Sequence, residues 1–227
     1  MAEIKKENYF NSFKFKTVVL LVLGLLLYGN SIFNEYALDD GIVIEKNAYV
    51  QQGFGGIKKI LSSDAYESFY KELNATQQLS GGRYRPLSII TFAIEQQFFG
   101  SKEKTKSPTD IANIRHFVNV ILYLASIIAL FYFLFYFIFQ ENKELAFLTA
   151  FIFLIHPIHT EVVANVKSRD EILSFLFIVL TFIKTFRFAN EKRFVQLVAA
   201  MFFYFMAFLS KEYAISLIVL IPLLFYL

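Results

Sequence analysis

The chain has 227 residues, of which 56% are hydrophobic and 19% aromatic, and it carries a formal net charge of +3. A soluble domain of this length has no use for so much apolar surface, so a bilayer is the solvent to test first. The small, dispersed charge does not suit nucleic acid, and the absence of cysteine excludes disulfides and thiolate metal sites.

Lys5, Lys6, Lys14 and Lys16 open the chain, and the apolar stretch Thr17–Phe33 that follows is a predicted spanning helix. A basic start before an apolar run also suits a signal peptide. No small-residue cleavage site follows Tyr28, however, and five more apolar stretches come after it, which favours an uncleaved anchor. Residues 34–113 form a long loop punctuated by Gly53, Gly55, Gly56 and Gly81-Gly82. Within it Tyr66, Phe69, Tyr70 and Leu73 have helical spacing. Pro86 suits a helix start, and Leu87, Ile90, Ile94 and Phe98 predict one apolar face, as expected of helices lying in a membrane interface. The sequon Asn74-Ala75-Thr76 is read as chance. Ser107-Pro108-Thr109-Asp110 reads as a cap leading into the next span.

The remaining predicted spans are Ile114–Phe139, Leu145–Ile155, Glu171–Phe188, Phe194–Leu209 and Tyr213–Leu227. The third is short because Pro157 disfavours helical geometry at His156. The last stays apolar to its end, as if cut within a span. Lys184, Arg187, Lys192 and Arg193 share the N-terminal side if six spans alternate, and that basic side is predicted to be cytoplasmic. The expectation is thus an all-α polytopic membrane protein with a cytoplasmic N-terminus (1–16) and an incomplete transmembrane domain (17–227) bearing a large exocytoplasmic loop. The Lys, Ile, Phe and Asn bias without Trp points to an AT-rich bacterial genome and an inner membrane, or to the endoplasmic reticulum if the source is eukaryotic.

The unusual polar residues then fall on the outer side. Asp39-Asp40 follows the first span, His156, His159 and Glu161 end the third, Lys167, Arg169, Asp170 and Glu171 open the fourth, and Lys211-Glu212 separates the last two. Charges at the hydrocarbon edge are costly unless paired or used, so four helix ends offer one shared polar cavity. Each group also has a plainer reading. Asp39-Asp40 suits a solvated loop start, the histidines a capped helix end, and Lys211-Glu212 an ion pair in a turn. A metal site from His156, His159 and Glu161 is a weak match in spacing, and none is assigned. If the segment from Thr160 is helical, Glu161, Asn165 and Arg169 align on one stripe.

Asp39-Asp40, Tyr84-Arg85-Pro86-Leu87, His156-Pro157-Ile158-His159-Thr160-Glu161 and Leu209-Ser210-Lys211-Glu212 occur in that order. Together they resemble the N-terminal half of the transmembrane-and-TPR-containing O-mannosyltransferase family and its bacterial relatives, within the wider GT-C class. The resemblance implies many spans, a first outer loop with a catalytic aspartate and interfacial helices, and later TPR repeats. It also implies a polyprenyl-phosphate sugar donor, a hydroxyl acceptor on a secreted or membrane protein, and no cofactor. By that resemblance Asp39 or Asp40 orients or deprotonates the acceptor hydroxyl. Arg169, Lys211 and Arg85 are candidates for the donor phosphate, with His156, His159, Glu161 and Glu212 supporting them. The rival readings are a transporter, whose polar residues would line a path, and a non-catalytic scaffold. The lack of paired broken helices and the size of the outer loop speak against the transporter.

Overall fold

The structure, a computed structural model, describes residues 12–72, 83–100 and 111–226. Lys5, Lys6, Leu73, the sequon, Gly81-Gly82 and the Ser107–Asp110 cap lie outside these residues.

Helix α1 (Phe13–Tyr28) starts where Ser12 Oγ accepts from Phe15 N at 3.2 Å, and a 3-10 turn, Gly29–Phe33, continues it. The outer loop is a set of short pieces: a π-helical turn at Gly41–Glu45, α2 (Ala48–Gln51), α3 (Ile57–Ile60), α4 (Glu67–Glu72) and the longer α5 (Pro86–Phe99). Then come α6 (Ala112–Phe133) with a π-helical extension to Ile138, α7 (Lys143–Ile155), α8 (His159–Ala164) and α9 (Arg169–Glu191). The chain closes with α10 (Phe194–Ser210), a 3-10 turn at Glu212–Ser216 and α11 (Leu217–Tyr226). There is no strand among the described residues.

The long helices alternate in direction, as contacts at their two ends require. At one end Lys16 Nζ meets Glu144 Oε1 at 2.7 Å, Phe13 stacks on Phe131 at 5.0 Å, Arg187 donates to Tyr132 Oη, and Phe186 stacks on Phe225 at 4.8 Å. At the other end the Tyr28 and Tyr123 hydroxyls both donate to Leu154 O, and Asn119 Nδ2 donates to Asn165 O and Val166 O. Ser174 Oγ donates to Ala207 O at the same level. Lys14 and Lys16 of α1 and the basic groups of residues 184–193 therefore share one face, and the polar groups gather at the opposite one.

Two cores hold this arrangement. Ala146, Ala150 and Leu154, spaced by four on α7, pack with Leu20, Val120, Leu124, Ile127, Phe131 and Ile172 between the long helices. A second core, with Val43, Ile44, Val50, Ile60, Ile89, Phe92 and Ala93, lies in the outer loop and takes in Val166 from the turn before α9. A fully buried side chain such as Phe92 contributes about 1.5–3 kcal/mol, so Val166 and Phe92 fasten the loop to the bundle. Outside the cores, Leu26, Phe205 and Ile218 are exposed, as suits a lipid solvent.

Among the described residues, three helices are long and apolar enough to cross a membrane: Phe13–Phe33, Ala112–Ile138 and Val166–Glu191. Phe194–Ser210 and Glu212–Tyr226 are shorter apolar helices. The chain is an all-α integral membrane protein.

The apolar face expected from Leu87, Ile90, Ile94 and Phe98 lies on the outward side of α5, with Ile94 and Phe98 exposed, while Ser88, Ile89, Phe92, Ala93 and Glu95 turn inward, where Glu95 meets two buried arginines. One local expectation is corrected: the Glu161, Asn165, Arg169 stripe does not form. α8 ends at Ala164, Asn165 is extended (φ −95°, ψ 116°), and a 3-10 turn, Val166–Ser168, precedes α9.

Candidate functional site

The site is built around the turn that follows α1. Leu38 holds φ at +51°, a left-handed conformation uncommon for a residue with a side chain. The turn closes where Asp40 N donates to Ala37 O at 3.0 Å. This reversal sends the two aspartates to different environments.

Asp40 is fully buried. Its Oδ2 accepts from Ala37 N (3.1 Å) and Val166 N (3.4 Å), and its Oδ1 accepts from Lys167 N (2.6 Å). Burial pushes its carboxyl above the usual range despite these three backbone donors, which favour the charged form. Asp40 therefore ties the start of the loop to the turn before α9.

Asp39 is 48% exposed, and its Oδ2 accepts from Tyr66 Oη at 2.8 Å with Lys167 Nζ 3.8 Å away. Burial, and next the hydrogen bond to Asp39, push the Tyr66 phenol far above its ordinary range, so Tyr66 acts as a donor. Asp64 sets this tyrosine in place. One of its oxygens accepts from Tyr66 N (2.9 Å) and the other from Arg83 N (3.0 Å), while the Arg83 guanidinium lies 4.5 Å from the Tyr66 ring centre.

Arg85 reaches two acids at once. Its Nη1 donates to Asp170 Oδ2 at 2.7 Å, and Nε and Nη2 hold Glu212 at 3.2 and 2.9 Å. Burial alone would lower its pKa, but the bonds to Glu212 and Asp170 outweigh that and raise it. Lys211 pairs with Glu171 across the α10–α11 turn, and burial lowers its ammonium pKa. The expected Lys211–Glu212 ion pair is thus replaced by two longer-range pairs, to α9 and to the start of α5.

Arg169 is not presented to this surface. It is fully buried, with Nε on Asn119 Oδ1 (2.7 Å), Nη1 on Thr91 Oγ1 (2.9 Å) and Glu95 Oε1 (2.6 Å), and Nη2 on Arg115 O (2.9 Å). Every guanidinium nitrogen already has a protein acceptor, so the side chain fastens α5 to α6 and α9 from beneath. His156 is exposed, with Nδ1 accepting from Ile158 N at 3.3 Å, and Glu161 is exposed one turn on. The His159 ring lies 4.3 Å from that of Phe153. Burial, then the neighbouring His156, lowers its pKa. Among the described residues no group of three or more His, Asp or Glu could hold a metal ion.

His159 lines an open cavity of about 340 Å³ with Tyr123, Phe153, Val162, Ile172, Phe175 and Tyr213, and Glu171 stands at its polar edge. Apart from that edge, the His159 ring and Ser126, the wall is aromatic and aliphatic. Consecutive residues of α9 line two separate openings: Asp170 lines a small one with Tyr66, Arg85 and Lys167, and Glu171 lines the larger cavity. An exposed carboxylate with one oriented oxygen can take up a proton, the cations beside it can hold an anion, and the apolar cavity nearby can hold an apolar group.

The family resemblance has counterparts among curated proteins. Protein O-mannosyl-transferase TMTC1 of Homo sapiens is 32% identical over 158 residues, 70% of this chain and 16% of its own length. The chain is a relative of the protein O-mannosyltransferases. The mouse protein O-mannosyl-transferase TMTC3 is 27% identical over 208 residues, 90% of the chain and 21% of its own length. Human TMTC4 is 26% identical over 190 residues, 76% of the chain and 24% of its own length. The chain therefore spans about a sixth to a quarter of the length of these relatives. No family model and no solved structure matches it.

For this relative of the O-mannosyltransferases, the structure adds residues that sequence reasoning passed over. Tyr66 entered only as a helical-face residue and Lys167 only as one of a charged group. Glu95, Arg115 and Asn119 were not singled out. Arg115 and Asn119 could have been noticed as a cation and an amide inside an otherwise apolar span; Tyr66 carries no such signal.

Proposed function

We propose that the chain forms the base-bearing part of a membrane glycosyltransferase of GT-C type. It would move a sugar, mannose or a similar hexose, from a polyprenyl-phosphate donor to a Ser or Thr hydroxyl of a secreted or membrane protein, on the exocytoplasmic side. The observation that carries this reading is Asp39, half-exposed, with one oxygen held by Tyr66 at 2.8 Å and cations beside it. The other carboxylate oxygen is available to the acceptor hydroxyl.

In the transfer step, the acceptor oxygen forms a bond to the anomeric carbon as the bond from that carbon to the phosphate oxygen breaks. The hydroxyl proton passes to Asp39, and the polyprenyl phosphate leaves with the electron pair. Phosphate is already a good leaving group, so no general acid is needed. Asp40 holds the segment that carries Lys167, and Arg85, fixed between Asp170 and Glu212, adds positive potential. The aromatic cavity beside His159 suits an isoprenoid chain, and its position at the helix ends lets that chain stay in lipid.

The test is sugar transfer from a polyprenyl-phosphate mannose donor by the full-length protein in lipid vesicles, comparing the parent with Asp39→Asn. Loss of about 10²–10⁴-fold in rate, with the protein folded, is expected of a missing base. Transfer by Asp39→Asn at the parent rate removes the assignment.

A further inference from the structure

Sequence reasoning named Arg169, Lys211 and Arg85 for the donor phosphate, and in the structure each is already engaged. Arg169 is fully buried with acceptors on all its nitrogens, Lys211 is paired with Glu171, and Arg85 is shared between Asp170 and Glu212. Two other cations face the same pocket without such partners. Lys167 Nζ is 3.8 Å from its nearest carboxylate oxygen, Asp39 Oδ2, beyond hydrogen-bond reach. That oxygen already accepts from Tyr66. The Arg83 guanidinium is exposed and rests on the face of Tyr66. Among the described residues, neither side chain donates a hydrogen bond.

Both cations line one small opening, with Arg85, Ser88, Tyr66 and Asp170 around it. The enclosed space is about 10 Å³, room for one water-sized oxygen. Arg85 is already taken by Asp170 and Glu212, so the charge left for a ligand is that of Arg83 and of Lys167, the latter only loosely offset by Asp39 at 3.8 Å. Such a wall, desolvated on one side and open on the other, favours an anion that offers one oxygen to the void and the rest to the open side.

We infer that Lys167 and Arg83 form a phosphate-monoester and phosphodiester site, in which Lys167 exchanges its loose contact with Asp39 for a phosphate oxygen. This rests on the transferase reading only for the name of the ligand. In that setting the phosphate binds next to the base, and its arrival draws the ammonium away from the Asp39 carboxylate. Arg83 closes over the outer oxygens, and its backbone N–H stays clipped to Asp64 throughout.

The test measures binding of polyprenyl monophosphate, without sugar, to the full-length protein in nanodiscs, with polyprenol and inorganic phosphate as parallel probes. Lys167→Gln keeps the backbone N–H that holds Asp40 and puts an uncharged amide, one atom shorter, in place of an ammonium whose side chain is 23% exposed, so the fold is retained. The expected result is a 10- to 100-fold (about one to two orders of magnitude) weaker affinity for polyprenyl monophosphate in Lys167→Gln and in Arg83→Gln, as for a lost charged hydrogen bond. Polyprenol binding stays unchanged, and inorganic phosphate competes in the parent alone. Lys58→Gln, an exposed lysine of α3, binds as the parent does. Parent-like affinity in Lys167→Gln, or equal losses for polyprenol and polyprenyl monophosphate, overturns the site. Asp39→Asn distinguishes the two readings: retained phosphate binding without turnover supports both, and full turnover in Asp39→Asn sinks the base while leaving the phosphate site to be judged by binding alone.

Discussion

Glu95→Gln should be the most damaging single change outside the site itself. Glu95 is the acid that faces two fully buried arginines. Its Oε1 is 2.6 Å from Arg169 Nη1 and its Oε2 is 3.5 Å from Arg115 Nε. Glutamine keeps the shape and one acceptor but leaves two guanidinium charges side by side with no counter-charge. Removing one partner of a buried ion pair costs about 3–5 kcal/mol, and two cations depend on this one. At about 2–4 °C per kcal/mol for a chain of this size, the melting temperature should fall by roughly 6–20 °C. Thermal unfolding of the purified protein in nanodiscs reads this directly. The triple change Glu95→Leu, Arg115→Met, Arg169→Met should lose far less, since it removes the charges together with their desolvation cost. A single variant that melts within 2 °C of the parent (about the scale of an ordinary surface change) would refute the claim that this cluster clamps α5 onto α6 and α9.

Tyr66→Phe deletes only the hydroxyl that holds Asp39 Oδ2. Turnover should fall about tenfold (one hydrogen bond to a charged group) with donor affinity unchanged; a change in affinity alone would contradict the positioning role. Asp40→Asn replaces an acceptor-only group that takes three backbone N–H donors by one that must turn an amide N–H₂ towards at least one of them. It should cost about 1–3 kcal/mol, seen as a lower melting temperature, and parent-like melting would remove Asp40 from the structural account. His159 has its folded pKa depressed by burial. Its contribution to stability is therefore complete above the unfolded pKa, near 6.5, and is lost as pH falls through the lower, folded value. Melting curves between about pH 7.5 and pH 5 should show this loss in the parent and less of it in His159→Gln; identical pH dependence would exclude the histidine as its source.

The long helices were legible because their signal is long-range and redundant. The predicted Phe194–Leu209 and the observed Phe194–Ser210 differ by one residue, and Leu145–Ile155 became Lys143–Ile155 once Asn142 was seen to cap the helix. The gathering of Asp39-Asp40, the α9 start and Lys211-Glu212 at one end was legible too, since alternation of apolar spans forces it. Partner choice within that cluster was not. Arg85, Lys167, Arg169 and Lys211 have the same sign and similar reach in sequence. Which of them is buried depends on where Glu95, Asp170, Glu171 and Glu212 come to rest, and that is set by the packing of α5 across the helix ends. Asn165 breaking the helix after Ala164 was invisible for a similar reason. The segment has helical composition, and its carbonyl is turned instead towards Asn119 Nδ2.

These 227 residues contain no cysteine, so single-cysteine labelling of the full-length protein, with any cysteine elsewhere in it replaced, in sealed vesicles is a direct reading of the central claim. Cysteines placed singly at Asp39, Ile158 and Glu212 should all react with a membrane-impermeant maleimide from the outer side, and cysteines at Lys14 and Lys192 only after the vesicles are opened. If Asp39 and Ile158 label from opposite sides, the helix ends do not build one site, and the transferase account fails with them.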